Sequence, residues 1–220
     1  GRSAVLGLSL CLQLSAHATT ITLVNADLPG VGFNDASPRT PVGGNDGITL
    51  GEQRLTAFKF AAAYWERTLD SPVEIFVRAS FLALPCDASF ATLGSAGTRH
   101  VFSDFAGAPR PATWYPGALA NKLAGEDLSP AGADDTGEDI AARFNSALEG
   151  FGCLPPMKWY YGLDASPPSG TIDFVTVVIH ELGHGLGFQT YVSRTTGEKL
   201  LGLDDAFMAH LYDAMTGLTW

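Results

Sequence analysis

The sequence predicts an α/β (α+β) fold, in which a mixed, twisted sheet carries an N-terminal helix and a second helix late in the chain. Three observations predict it. Residues 52–69 repeat apolar side chains at helical spacing, residues 73–81 alternate strictly, and short β-branched or aromatic runs are interleaved with helical ones. The 220 residues suit one domain, or at most two small ones, and 46% apolar against 16% charged residues is a globular composition. A formal net charge of −10 argues against nucleic acid and against an anionic membrane surface as partners.

In chain order, residues 4–14 (AVLGLSLCLQL) follow a lone Arg2 and precede Ala16-His17-Ala18. A basic start, a short apolar stretch and small residues at a cleavage position describe a secretory leader over residues 1–18, too short for the roughly 20 residues of a membrane span. The expectation is a secreted or periplasmic protein without a membrane span. Of its three cysteines, Cys11 lies in this leader. Cys86 and Cys153 remain, either to pair, as export to an oxidising compartment favours, or to stay as two buried free thiols.

Thr19–Asn25 reads as a strand, and residues 28–51, rich in Gly, Pro, Asn and Asp, as a loop. Leu55, Phe58, Ala62, Trp65 and Leu69 gather on one face of a helix over Glu52–Leu69, ended by Asp70-Ser71-Pro72. Val73, Ile75, Val77, Ala79 and Phe81 form the buried face of a strand. Residues 84–117 are expected to be irregular with short strands, one at Arg99–Phe102. A helical turn is expected at Leu119–Leu123 and a helix over Asp139–Leu148. Between them Glu126, Asp127, Asp134, Asp135, Glu138 and Asp139 form an acidic stretch. It is either a solvated loop or a Ca2+ site, although it lacks EF-hand spacing. Trp159-Tyr160-Tyr161 either packs in the core or lines a groove.

The segment with the clearest chemistry is TIDFVTVVIHELGHGLGF, residues 171–188, which holds His180-Glu181-Leu182-Gly183-His184. Composition alone would produce an H-E-x-x-H pattern in only about 0.4% of such chains. On a helix, residues four apart lie about 40° apart around the axis and about 6 Å along it, so both imidazoles reach one ion. On a strand they would stand about 13 Å apart and could not. A helix is therefore expected here, capped by Thr171 or Asp173. Val175, Ile179, Leu182 and Leu186 would face the core, and the histidines a cleft. His180 and His184 are the candidate metal ligands, and imidazole donors suit Zn2+. Glu181, about 100° round from His180, is the candidate general base toward a water. Gly183, Gly185 and Gly187 are costly in a helix, which predicts a close neighbour or an early end near Gly185.

HELGHGLGF resembles the active-site helix of the zincin metallopeptidases. Gly187, seven residues after the first histidine, is similar to the glycine at which metzincins turn toward a third ligand. Gly187-Phe188 resembles the leishmanolysin-like members most. The resemblance implies a zincin-like catalytic domain over 19–220, one catalytic Zn2+, and protein or peptide substrates cleaved in a cleft between an N-terminal α/β part and a smaller C-terminal part. The chain departs from the metzincin pattern at Thr190, where a third histidine or aspartate usually stands. The third ligand is then His210, Asp205 or Asp204, the last spaced from His184 much like the thermolysin-like glutamate, or a residue beyond Trp220. Residues 204–214 are expected to be a helix able to carry it. Tyr191 and Tyr212, which resemble tyrosines that assist an oxyanion in some metzincins, are read as packing residues. A non-catalytic protein on the same scaffold and a zinc hydrolase of a non-peptide bond are the alternatives.

Overall fold

The computed structural model describes residues 18–129 and 136–219. The leader expected over residues 1–18 lies outside them, Ala18 apart.

Strand β1 (Ile21–Asn25) opens the fold. Helix α1 (Leu50–Thr68) follows a long loop and starts two residues earlier than its apolar pattern suggests, because Thr49 and Glu52 close a reciprocal capping box. Strand β2 (Ile75–Leu82) has the expected alternation: Ile75, Val77, Ala79 and Phe81 are buried, while Arg78 and Leu82 face solvent. Short strands β3 (Gly94–Thr98), β4 (Val101–Phe102) and β5 (Thr113–Pro116) lead into α2 (Gly117–Ala124). Next come β6 (Ile140–Asn145), β7 (Lys158–Tyr160), β8 (Thr171–Asp173), α3 (Phe174–Leu186) and the two-residue β9 (Asp204–Asp205).

The main sheet has the order β1-β2-β6-β3. β1, β2 and β6 are parallel, and β3 is an antiparallel edge. α1 and α3 pack against each other on the sheet face that presents Val77, Phe81, Ile140 and Phe144. The core between these layers is aromatic, with Phe144 lying 4.9 Å from Phe174 and 6.3 Å from Phe58. The chain is thus of the α+β class, with a mixed sheet.

Two expectations are corrected. Residues 139–148 are not a helix: β6 occupies 140–145 and a single 3-10 turn follows. Its buried Ile140, Ala142 and Phe144 alternate with the outward Arg143, and the segment pairs with β2 on one side and β3 on the other. Residues 204–214 are not a helix either, but β9, a 3-10 turn at 208–210 and a further two-residue strand. Cys86 and Cys153 form the expected disulfide, 67 residues apart in sequence and with Cα atoms 5.3 Å apart, joining the segments that follow β2 and β6. Trp159, Tyr160 and Tyr161 are buried, which makes them packing residues. No helix among the described residues is long and apolar enough to cross a membrane.

Candidate active site on helix α3

Asp173 starts α3: its Oδ2 accepts from the Thr176 N–H at 3.3 Å, satisfying one of the free donors of the first turn. Phe174, Val175, Val178, Leu182 and Gly185 are buried, whereas Ile179 and Leu186 are only half-buried. The buried stripe is therefore rotated from the expected one, and Ile179 borders the site. Gly185 meets the predicted close neighbour. A Cβ there would fall closest to Cγ2 of Ile140, with Cδ1 at 2.8 Å and Cγ1 at 2.9 Å. The helix ends at Gly187, whose φ of +126° is one that L side chains rarely adopt.

That turn organises the histidines. It returns the carbonyl of Phe188 to within 2.8 Å of His184 Nδ1. A carbonyl only accepts, so Nδ1 carries the proton and Nε2 of the neutral ring offers its lone pair. His184 Nε2 lies 3.1 Å from His180 Nε2, with the rings nearly perpendicular at 88°. One cation about 2.0–2.1 Å from both nitrogens would see them at an angle of about 100°, close to tetrahedral. His180 and His184 could thus hold a zinc-sized ion together.

Glu181 is buried beside the pair, under the edge strand β3. Burial pushes its pKa up from the usual glutamate value, against the pull of both histidines and a backbone hydrogen bond from Ala96. The approach depends on small residues in β3, since a Cβ at Gly94 would lie 3.0 Å from Glu181 Cγ. Sequence reasoning missed this wall. Gly94-Ser95-Ala96-Gly97 has no apolar alternation, and its signal is only a run of side chains too small to obstruct a neighbour.

On the other flank, Trp65 of α1 donates its indole N–H to the Ile179 carbonyl at 3.1 Å. Trp65, Phe188 and Phe207 line a cleft of about 410 Å³ that opens on the two imidazoles. A larger cavity, about 540 Å³ between β1 and α1, lies away from the histidines.

The remaining candidates are placed elsewhere. Asp205 is buried and accepts from Thr190 Oγ1, the Tyr191 N–H and the Met208 N–H at 2.7–2.9 Å. Asp204 pairs with Lys199. His210 lines a neighbouring cavity together with Phe188 and Phe207. Among the described residues no group of three His, Cys, Asp or Glu side chains is arranged to hold a metal ion, so none of the three joins the histidine pair. Tyr191 is held by its backbone bond to Asp205 and receives the Gln189 amide at 3.3 Å, and burial pushes its pKa up to about 12. Of the acidic stretch proposed for Ca2+, Asp134 and Asp135 lie outside the described residues. Asp139 accepts from the Phe76 N–H and from Asn121, and Glu138 faces Arg78 and Arg99.

Compared with known proteins, the chain matches no family model, no curated protein and no solved structure.

Proposed function

We propose that this protein is an exported zinc-dependent endopeptidase. His180 and His184 hold the ion through their Nε2 atoms, and Glu181 is the general base. The observation that carries this reading is the convergence of the two Nε2 atoms, 3.1 Å apart, with a cleft on one side of the pair and a buried carboxylate on the other.

When bound, zinc supplies Lewis acidity, polarising the scissile carbonyl and lowering the pKa of water toward about 7. The protein's own groups do the rest. The Phe188 carbonyl keeps His184 in the tautomer whose Nε2 is free to bind. Glu181, steadied by Ala96, takes the proton of the attacking water and passes it to the leaving amine. Burial under β3 raises the basicity of its carboxylate, which suits that role. The disulfide agrees with export.

Catalytic zinc takes three protein ligands, and the described residues bring two together. X-ray absorption on the zinc-loaded protein is expected to count three protein donors. Glu181→Gln is expected to retain zinc by elemental analysis and to lose at least about 100-fold in chelator-sensitive casein cleavage, the usual contribution of a general base. Cleavage at the parent rate would remove Glu181 from the mechanism. A second reading, a scaffold that binds without turnover, is favoured by Thr190, whose hydroxyl is committed to Asp205. Bound zinc with no chelator-sensitive proteolysis would select it.

A further inference from the structure

The main sheet has a strand edge that the chemistry on α3 does not use. β1 pairs with β2 alone, at the end of the sheet opposite β3. Its ladder is fixed by the Ile75 N–H on the Thr20 carbonyl and the Ala26 N–H on the Ala79 carbonyl, each at 2.9 Å. Even-numbered residues of the strand thus face β2, and Ile21, Leu23 and Asn25 turn their backbone N–H and C=O groups to the open edge. There the Ile21 N–H donates to Glu66 of α1 at 2.8 Å. Leu23, at the middle of the strand, keeps a donor and an acceptor side by side, which is a template for a further strand.

Beside this edge runs the groove of about 540 Å³ between β1 and α1. Its wall on α1 is apolar at Leu55, Phe58 and Ala62 and charged at Lys59 and Glu66. The two charges are seven residues apart, so they share one face of the helix about 10 Å apart along it. α1 runs against β1: Glu66, late in the helix, meets Ile21 at the start of the strand, while Arg54, early in the helix, bonds the Gly32 carbonyl just after the strand. Glu66 therefore stands level with Ile21 and Lys59 nearer the level of Asn25.

This arrangement is self-complementary. A twofold axis through the sheet beside Leu23 would set β1 antiparallel to β1 of a second copy, with Leu23 opposite Leu23 and Ile21 opposite Asn25. The same axis puts both α1 helices on one face of the joined sheet, antiparallel to each other. Glu66 of each copy then comes to the level of Lys59 of the other, with opposite charges facing. Between these charges α1 presents only Ala62 and Ala63, too short to hold two helices apart. Leu23, half-buried and facing α1, would enter the groove of the other copy.

We propose that β1 and the adjoining flank of α1 form a homodimer interface, in which two sheets join edge to edge through an antiparallel β1 pair and Lys59 of each copy meets Glu66 of the other. Glu66 would exchange the Ile21 N–H for Lys59, and that N–H would gain the Asn25 carbonyl of the second copy. Both α3 sites stay open, because Glu181 lies under β3 at the far edge of each sheet.

The test is sedimentation velocity over a concentration series, with charge exchange and cross-linking. The parent is expected to pass from monomer to dimer, with weaker association at high salt. Lys59→Glu and Glu66→Lys should each weaken the dimer about tenfold by opposing like charges across the axis, and the double variant Lys59→Glu/Glu66→Lys should restore it. Urea titration of each variant separates a lost interface from a lost fold. Leu23→Cys should form an intermolecular disulfide on oxidation, since the facing Cα atoms of such a pair lie about 5.5 Å apart. Val24→Cys should not, because it faces residue 22 of the other copy and lies beyond disulfide reach of its own counterpart. A protein that stays monomeric up to about 1 mM overturns the proposal and leaves the edge to an unrelated extended segment. A dimer that the single charge variants leave unchanged, that the exchange does not restore, or that Leu23→Cys does not cross-link lies on another face and overturns it equally.

Discussion

Replacing Gly185 with alanine sets two effects of opposite sign against each other. Helix propensity alone favours the change by up to about 1 kcal/mol. Packing opposes it, because the new methyl would lie under 3.0 Å from three atoms of Ile140, where carbon contacts settle near 3.5–4.0 Å. Ile140 cannot yield easily. It is fully buried, β-branched, and held in β6 between Val77 of β2 and Thr98 of β3. Overpacking of this kind costs about 1–3 kcal/mol, and three crowded atoms place it toward the upper end, leaving a net loss of about 1–2 kcal/mol. For a domain of this size that lowers Tm by about 2–8 °C, measurable by circular dichroism and by urea titration. Relief comes from moving α3 off the sheet, which also separates Glu181 from β3, so the proposed peptidase activity should fall with stability. A rise in Tm, the result of propensity acting alone, would refute the contact.

Three further outcomes are expected. Cys86→Ser/Cys153→Ser, or reduction of the parent, should cost about 4 kcal/mol from the chain entropy of the 67-residue loop, read as a lower urea midpoint. An unchanged midpoint would show that the cross-link does not restrain the unfolded chain. Asp139 has its pKa pushed up to about 6, chiefly by burial and further by Asp127. The folded state then binds its proton more tightly than the unfolded state does, so the stability from this group falls as pH rises from about 4 to about 6 and is level above that. The stability difference between the parent and Asp139→Asn should change across that window, and a constant difference would refute the assignment. Trp65→Phe keeps an aromatic ring but removes the donor to the Ile179 carbonyl, and should lower stability by about 1 kcal/mol in a urea titration; no loss would show that the bond contributes nothing net.

Much of the framework was legible because its signals are local. The helical spacing of Leu55, Phe58 and Ala62 and the alternation of Val77, Ala79 and Phe81 each bury one face, and α1 and β2 formed where those patterns lie. The H-E-x-x-H spacing placed both imidazoles on one side of α3, and the cysteines paired. Residues 140–145 were misread because alanines favour a helix locally, whereas β6 is held by strands on both sides of it. Residues 204–214 were misread for a related reason. Asp205 satisfies the N–H groups of Tyr191 and Met208 and so fixes an irregular segment that has helical composition.

The sequence by itself determined the rod that carries two imidazoles a turn apart, the acid between them, and the strands and helix whose apolar periods needed a common core. Only the tertiary structure decided what surrounds them. Gly94 and Ala96 come over Glu181, Trp65 and Phe207 close the opposite flank, Asp205 is taken up by Thr190, Tyr191 and Met208, and His210 lines a neighbouring cavity. The physical reason is distance along the chain. Periodicity is set by neighbours within one or two turns, while burial, a raised pKa and the shape of a cleft are set by residues tens of positions away, which meet only when the sheet and its helices close on one another.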